Sequence, residues 1–463
     1  MSTHLKSKAP ALILFTTLLS SCAIYAPDNR PALNDHLPKQ FSIYSEILPG
    51  VETTWWKSFQ SLELNTLVDE ALTNSPGIQQ ARARLAQAEA IATQAGAARF
   101  PSLGANASVT GARDSITKTT TEIYSVGLAA AYEIDLWGRI KSQTEAAVLD
   151  REASREQLNT AAITLSAQVA RNWTGIVAQR LQTGLLRKQL EANLTSLELI
   201  ELRFRKSLAT ALDVYQQRQA VAATEARIPP AERREQLLMN QLAALLGRNN
   251  FQTLELSEKN LPALGKIPAI GIPADVLANR PDVRRAGLRL RAADWSVSSA
   301  RADRLPAIRL TASADYRNAK SSDLFDDWFA NLVGGVTGPI FEGGRRKAEV
   351  NRARAVVDER LADYRETVLH AIREVEDALV SEQKQRDYLA ILGQNLELNR
   401  NSYREALSRY RNGLIEYLPV LVELVRLQSL ERDHIEAQLN LLQTRIDLHR
   451  ALGGGGEKMM RGE

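Results

Sequence analysis

Asn74-Ser75-Pro76-Gly77-Ile78-Gln79-Gln80-Ala81-Arg82-Ala83-Arg84-Leu85 opens one stretch of this chain, and Asn279-Arg280-Pro281-Asp282-Val283-Arg284-Arg285-Ala286-Gly287-Leu288-Arg289-Leu290 opens another 205 residues later. In the same register Ala88, Ala95, Arg99 and Pro101 fall on Ala293, Ala300, Arg304 and Pro306. Further on, at an offset of 206, Gly138-Arg139 meets Gly344-Arg345, Phe204-Arg205 meets Tyr410-Arg411, Leu208 meets Leu414, and Leu246-Gly247 meets Leu452-Gly453. The chain contains one unit twice, over 74–247 and 279–453, joined by a linker at 248–278 that carries Pro262, Pro268 and Pro273. A spacing this long is a duplicated domain-sized unit, because solenoid repeats run to 20–50 residues.

Each copy changes period twice. An Ala-rich helical pattern stops at Phe100-Pro101, where proline cannot continue a helix. Strict alternation follows, with Leu103, Ala105, Ala107 and Val109 on one face and Gly104, Asn106, Ser108 and Thr110 on the other, which predicts a strand at about 102–111. A second strand is predicted at 123–136, and the equivalents in copy two at 307–316 and 328–341. Beyond Gly138 and Gly344 the stretches 139–206 and 345–412 contain no proline. About 65 residues at 1.5 Å each predicts roughly 100 Å of helix, far beyond the usual three or four turns. Shorter helices return at 208–247 and 414–452, the first with a break predicted at Pro229-Pro230. Asn412-Gly413 suits a tight turn between the two helices of copy two, whereas Lys206-Ser207 lacks the glycine.

Two readings of the strands stay open. They form a small antiparallel sheet packed on helices, or they cross a membrane. The second accounts for lengths of 9 to 14 residues and for aromatic residues at the strand ends, Phe100, Trp137 and Phe341 at one and Tyr124, Tyr316, Trp328 and Phe329 at the other. Spanning strands tolerate no bare edge in lipid, and four strands are too few to close. A membrane reading therefore requires a dimer with eight strands or a trimer with twelve.

Composition narrows the function. The 463 residues are 44% hydrophobic and 24% charged, so the chain folds, and a formal net charge of +4, two lower once Lys6 and Lys8 leave with a leader, is no nucleic-acid footprint. The one cysteine excludes disulfide frameworks and thiolate zinc clusters. A basic start, an apolar run from Ala9 to Leu19 and Leu19-Ser20-Ser21-Cys22 predict a lipoprotein signal peptide at 1–21, with Cys22 as the first mature residue and the lipid-bearing one. Ala23 after it fits outer-membrane sorting. The five histidines are scattered. Glu431-x-x-His434 has the spacing of half a di-iron site, but copy one has Ile228 in place of the histidine. Gly453 to Gly456 lacks the lysine of a phosphate loop. No convergent catalytic or metal constellation is present, and an enzyme is not expected.

Several blocks carry a resemblance: Ala26-Pro27-Asp28-Asn29-Arg30-Pro31, Trp55-Trp56-x-x-Phe59, Asp135-Leu136-Trp137-Gly138-Arg139, Arg280-Pro281-Asp282-Val283, Gly338-Pro339-Ile340-Phe341-x-Gly343-Gly344-Arg345 and Ala451-Leu452-Gly453-Gly454-Gly455. In this order, on this duplication, the chain resembles the TolC-like outer membrane factors, specifically their OprM-like lipoprotein branch. The resemblance implies a mainly α protein with membrane β: a homotrimer with a 12-stranded β-barrel in the Gram-negative outer membrane and a 12-helix α-barrel tunnel in the periplasm. It implies a passive exit duct for drugs or other small molecules, served by a proton-driven inner-membrane pump and a periplasmic adaptor. It also implies no cofactor other than diacylglycerol and an N-acyl chain on Cys22, within a lipid-anchored segment at 22–73, and a tail at 454–463.

By position in that family, the periplasmic aperture falls at Asp213, Leu418 and Val422, and the adaptor-docking tips at Arg205, Leu208, Arg411, Gly413 and Leu414. Relatives tend to carry Asp where this chain has Pro419 or Val422, so the expected ring is apolar, backed by Glu423 pairing with Arg426. The competing reading makes these ordinary helix-surface residues. Two other functions stay open: the outlet of a protein-secretion system, or a lipid-anchored coiled-coil scaffold without a pore.

Overall fold

Proline and glycine punctuation sets the element order in this computed structural model, which describes residues 41, 54–249, 254–265, 267–268, 270 and 273–454. The leader, Cys22 and the Pro-Asp block near residue 28 lie outside the described residues. Helix α1 (Leu62–Asn74) leads into copy one, which contains α2 (Pro76–Ala97), β1 (Ser102–Arg113), β2 (Thr120–Ile134), α3 (Arg139–Arg205), α4 (Ala211–Glu225) and α5 (Ile228–Leu245). Helix α6 (Pro273–Asn279) ends the linker, and copy two contains α7 (Pro281–Ala302), β3 (Ala307–Asn318), β4 (Trp328–Thr337), α8 (Arg345–Arg411) and α9 (Tyr417–Ala451). Among the described residues no helix is long and apolar enough to cross a membrane.

The two long helices are 67 residues each. Asp135 starts the first, its carboxylate accepting from the backbone N–H groups of Ile140 (3.0 Å) and Lys141 (2.7 Å), which would otherwise be orphaned at a helix N-terminus. The helices that return differ. In copy one the break predicted at the proline pair falls at Ala226-Arg227, and Pro229 and Pro230 sit in the first turn of α5, where no N–H is required. Pro419 likewise occupies the first turn of α9, which then runs unbroken for 35 residues.

The four strands form one antiparallel sheet in the order β1-β2-β3-β4. The seam between the copies is β2 with β3, where Leu128 faces Ala314 and Tyr132 faces Leu310. Register carries an apolar row across all four strands, for example Leu103, Ala130, Ala312 and Leu332. The opposite face holds Ser102, Asn106, Ser108, Ser125, Asp315 and the cross-strand pair Glu133 and Arg309. Strand β4 ends at Thr337, four residues short of the expected 341, because Gly338 packs against Pro306 and Pro339 has no N–H to pair. The outer edges of β1 and β4 pair with nothing in the sheet.

Compactness divides the chain across the repeats. One unit draws on Ala83–Arg155 and Arg285–Thr367 and contains the sheet; the other draws on described parts of 36–82, 156–284 and 368–463. In the second unit the Trp55-Trp56-x-x-Phe59 block is fully buried, with Trp55 edge-on to Trp56 and stacked on His449 at 5.2 Å. Arg280 of the Arg-Pro-Asp block holds Asp282 and Glu374 and donates to the carbonyl of Ala451 at 2.8 Å, tying the start of α7 to the end of α9. Glu63 fastens the linker: Trp173 Nε1 donates to it at 2.7 Å, and the N–H and hydroxyl of Ser257 donate at 2.6 and 2.8 Å.

Burial, and secondly the nearby charge of Arg445, push the His449 imidazole down to about 3. The unfolded chain takes that proton near 6.5 and the folded one does not, so stability is complete above pH 6.5 and falls on acidification toward pH 3. At pH 4.5 the expected loss is roughly 2 to 3 kcal/mol. Urea midpoints read by helical circular dichroism should show it, and His449→Phe should remove most of the pH slope; an unchanged slope would assign the effect to carboxylates.

Candidate functional site

Both long hairpins turn in the same way. At the end of α3 the N–H of Leu208 donates to the carbonyl of Arg203 (2.8 Å), and at the end of α8 the N–H of Leu414 donates to Arg409 (2.9 Å), the hydrogen bond that closes a left-handed helix cap. Gly413 supplies the left-handed residue at φ 73°, and Ser207 takes the same conformation at φ 58° without being glycine. An L-residue there costs roughly 1 to 2 kcal/mol, and a side chain at Gly413 would meet nothing within 4 Å, so backbone alone sets the difference. Ser207→Gly is expected to raise stability by about 1 kcal/mol and Gly413→Ser to lower it by a similar amount, read from urea midpoints. Equal midpoints for all three proteins would show that the turn carries no strain.

The expected tip residues sit at this turn. Arg205 and Arg411 are the last residues of α3 and α8, and Leu208, Gly413 and Leu414 are exposed. Asp213 acts locally. Its carboxylate accepts from the N–H (2.8 Å) and hydroxyl (2.9 Å) of Thr210, while its own N–H donates to the Thr210 hydroxyl, a reciprocal cap at the start of α4. Leu418, Val422 and Val425 lie on one face of α9 and remain 49, 52 and 50% exposed. The expected pairing of Glu423 with Arg426 is not what the side chains do. Glu423 accepts from Asn399 Nδ2 of α8 at 2.6 Å, because the antiparallel neighbour offers an amide closer than the next turn offers a guanidinium.

Behind that face the hairpins are joined by a core of Ile200, Val214, Tyr410, Tyr417, Val420 and Leu421. Arg203 lies 4.6 Å over the ring of Tyr410. Burial holds the Tyr417 phenol well above its ordinary range, so it stays neutral, and its hydroxyl donates a hydrogen bond to Gln217 Oε1 at 2.5 Å. From there a ladder of buried amides crosses between hairpins. Gln217 Nε2 donates to the Asn193 carbonyl (2.7 Å), Gln428 Nε2 to Asn193 Oδ1 (3.0 Å), and Gln189 Nε2 to the Gln428 carbonyl (3.0 Å). Sequence reasoning misses all four of these amides. The signal available is polar residues seven apart, such as Gln182 and Gln189, in otherwise apolar-periodic helix.

A sheet with one lipid-compatible face and two open edges, in a duplicated chain with 67-residue helices, defines a class: outer-membrane channels that combine a β-barrel with a helical tunnel. The chain matches the outer membrane efflux protein family over residues 67–248 and again over 272–454, and it belongs to that family. Two curated relatives come from Pseudomonas aeruginosa. The pyoverdine export outer membrane protein OpmQ is 32% identical over 423 residues, 88% of either chain. The outer membrane protein OprJ is 34% identical over 429 residues, also 88% of either. The solved structure of the outer-membrane channel OprN matches with a TM-score of 0.87 at 28% identity, covering 93% of this chain and 99% of that one. The protein is an efflux channel of the outer membrane, in an efflux family rather than a family of enzymes. The small packed sheet, the pore-free scaffold and the secretion outlet fall away as readings.

Proposed function

We propose that three copies pair edge to edge, β4 of one with β1 of the next, into a twelve-stranded barrel, and that the channel is the passive exit duct of a tripartite pump. The observation that carries this is the pair of unpaired sheet edges on a strand set with a continuous apolar face. Lipid satisfies no bare N–H, so the edges must find each other. Eight strands from a dimer would enclose an interior that side chains can fill, whereas barrel diameter grows with strand number and twelve enclose a wider one. Energy comes from a proton-driven inner-membrane pump, reached through a periplasmic adaptor that docks on the turns at Arg205–Leu208 and Arg411–Leu414. Acyl chains on Cys22 anchor the mature N-terminus in the outer membrane. Leu418 and Val422, exposed on α9 in the single chain, meet their symmetry mates as the apolar aperture.

Light scattering of the detergent-extracted protein together with planar-bilayer conductance tests the assembly. A trimer with rare, brief openings is expected; a monomer, or a silent bilayer at all voltages, would overturn the reading. In the same bilayers Leu418→Ala with Val422→Ala is expected to raise open probability about tenfold, which corresponds to roughly 1.4 kcal/mol of lost closure. Unchanged openings would remove these two side chains from the aperture.

A further inference from the structure

Helix α9 carries its exposed face past the apolar stretch. At 3.6 residues per turn, Leu418, Val422, Val425, Ser429, Arg432, Glu436 and Gln443 fall on one stripe. Arg432 lies about 10 Å of helix rise beyond Val425. There the stripe borders a groove of about 520 Å³ between α3, the break preceding α5, and α9, large enough for a drug-sized solute.

The groove is basic. Arg227, Arg233, Arg234 and Arg432 line it, and among the described residues none of the four has a carboxylate within 4.0 Å. A fifth, Arg171, is paired with Asp447. Neighbouring acids on α5 are already engaged, Glu232 with Arg187 and Glu235 with Arg180. Glu436 is the one carboxylate in the lining. Arg432 is half-buried, and its guanidinium has a neutral amide acceptor, Gln189 Oε1 at 2.8 Å. Burial, and then the charge of Arg227, press against its protonated form, Asp433 and Glu431 on the same helix offset them only in part, and a guanidinium stays charged. A desolvated cation beside a second cation is relieved by an anion, and charge-assisted hydrogen bonds to a planar fork are the strong kind.

We infer that this groove binds the anionic group of a solute in transit, a carboxylate or phosphate held by Arg432 with Arg227, Arg233 and Arg234 around it. The inference rests on the reading of the Leu418 and Val422 face as the channel bore, since the groove lies on the same stripe. It makes the duct a selective one for acidic cargo, with a resting point inside the aperture.

Carboxyfluorescein is a suitable probe, added to the full-length, detergent-extracted protein and followed by fluorescence anisotropy, with the same dye tested as a blocker in bilayers. The dye is expected to bind. Binding should weaken about tenfold or more in Arg233→Gln/Arg234→Gln/Arg432→Gln, and tighten about threefold in Glu436→Gln, an exposed position that puts folding at no risk. Dye should reduce single-channel current in the parent protein and not in the triple variant. Conductance with no effect of either substitution on binding would overturn the groove and leave the channel reading intact. Dye binding that follows the substitutions without changing the current would overturn the transit role. A parent protein that never conducts would overturn the channel reading, with anisotropy still reporting on the groove.

Discussion

Glu382→Ala is expected to lower the stability of the helical unit by about 3 to 5 kcal/mol. Glu382 is fully buried on α8, and Arg445 of α9 is only 4% exposed. Arg445 Nε donates to both carboxylate oxygens at 3.1 and 2.9 Å, its Nη2 donates to Oε1 as well, and Arg386 adds Nε and Nη2 at 3.2 and 3.0 Å. Removing the carboxylate leaves a buried guanidinium, one helical turn from an imidazole that burial already keeps neutral. Urea denaturation followed by circular dichroism measures the loss. The double variant Glu382→Ala/Arg445→Leu should recover a large part of it, because the penalty belongs mainly to the stranded charge. A loss below about 1 kcal/mol would mean that water reaches the pair.

Gly127→Val is expected to prevent assembly. A Cβ at residue 127 would sit 2.6 Å from both the carbonyl oxygen of Ala314 and Cβ of Asp315, backbone and near-backbone atoms that cannot swing aside. The clash falls on the β2–β3 seam, where overpacking of about 1 to 3 kcal/mol or more would open the sheet in lipid, and the proposed trimer, read by light scattering in detergent, should fall at least roughly tenfold. Gly104→Ala is the control, since nothing lies within 4 Å of a Cβ there. Normal trimer from Gly127→Val would mean that the seam differs from the register described.

The sequence shows most of the fold because two periods alternate cleanly. Strand alternation places β1 and β3 to within two residues at their far ends, and the proline-free runs place α3 and α8 to within one. What it does not show depends on which elements become neighbours. The Asn193–Gln428 contact joins residues 235 apart, and both read in one dimension as polar helix surface. Arg426 is the partner that suggests itself for Glu423 because i,i+3 pairs are visible in a sequence, whereas Asn399 on another helix is not. Asp213 is the opposite case, since Thr210-x-x-Asp213 is a capping pair that can be read directly from the residues. Ser207 shows a limit of turn chemistry, because the missing glycine changes the cost of the turn and not its form.

The β2–β3 seam also dictates an order of events during biogenesis. Ile134 pairs with Ile308, so the sheet's central contact cannot form until the second repeat has been exported, whereas each helical hairpin needs only residues close to it in the chain. A nascent chain halted after the first repeat would present two strands with an apolar face and no partner, a form suited to chaperone custody or proteolysis. The four-stranded sheet is therefore complete only in a finished polypeptide, since its central seam draws one strand from each repeat.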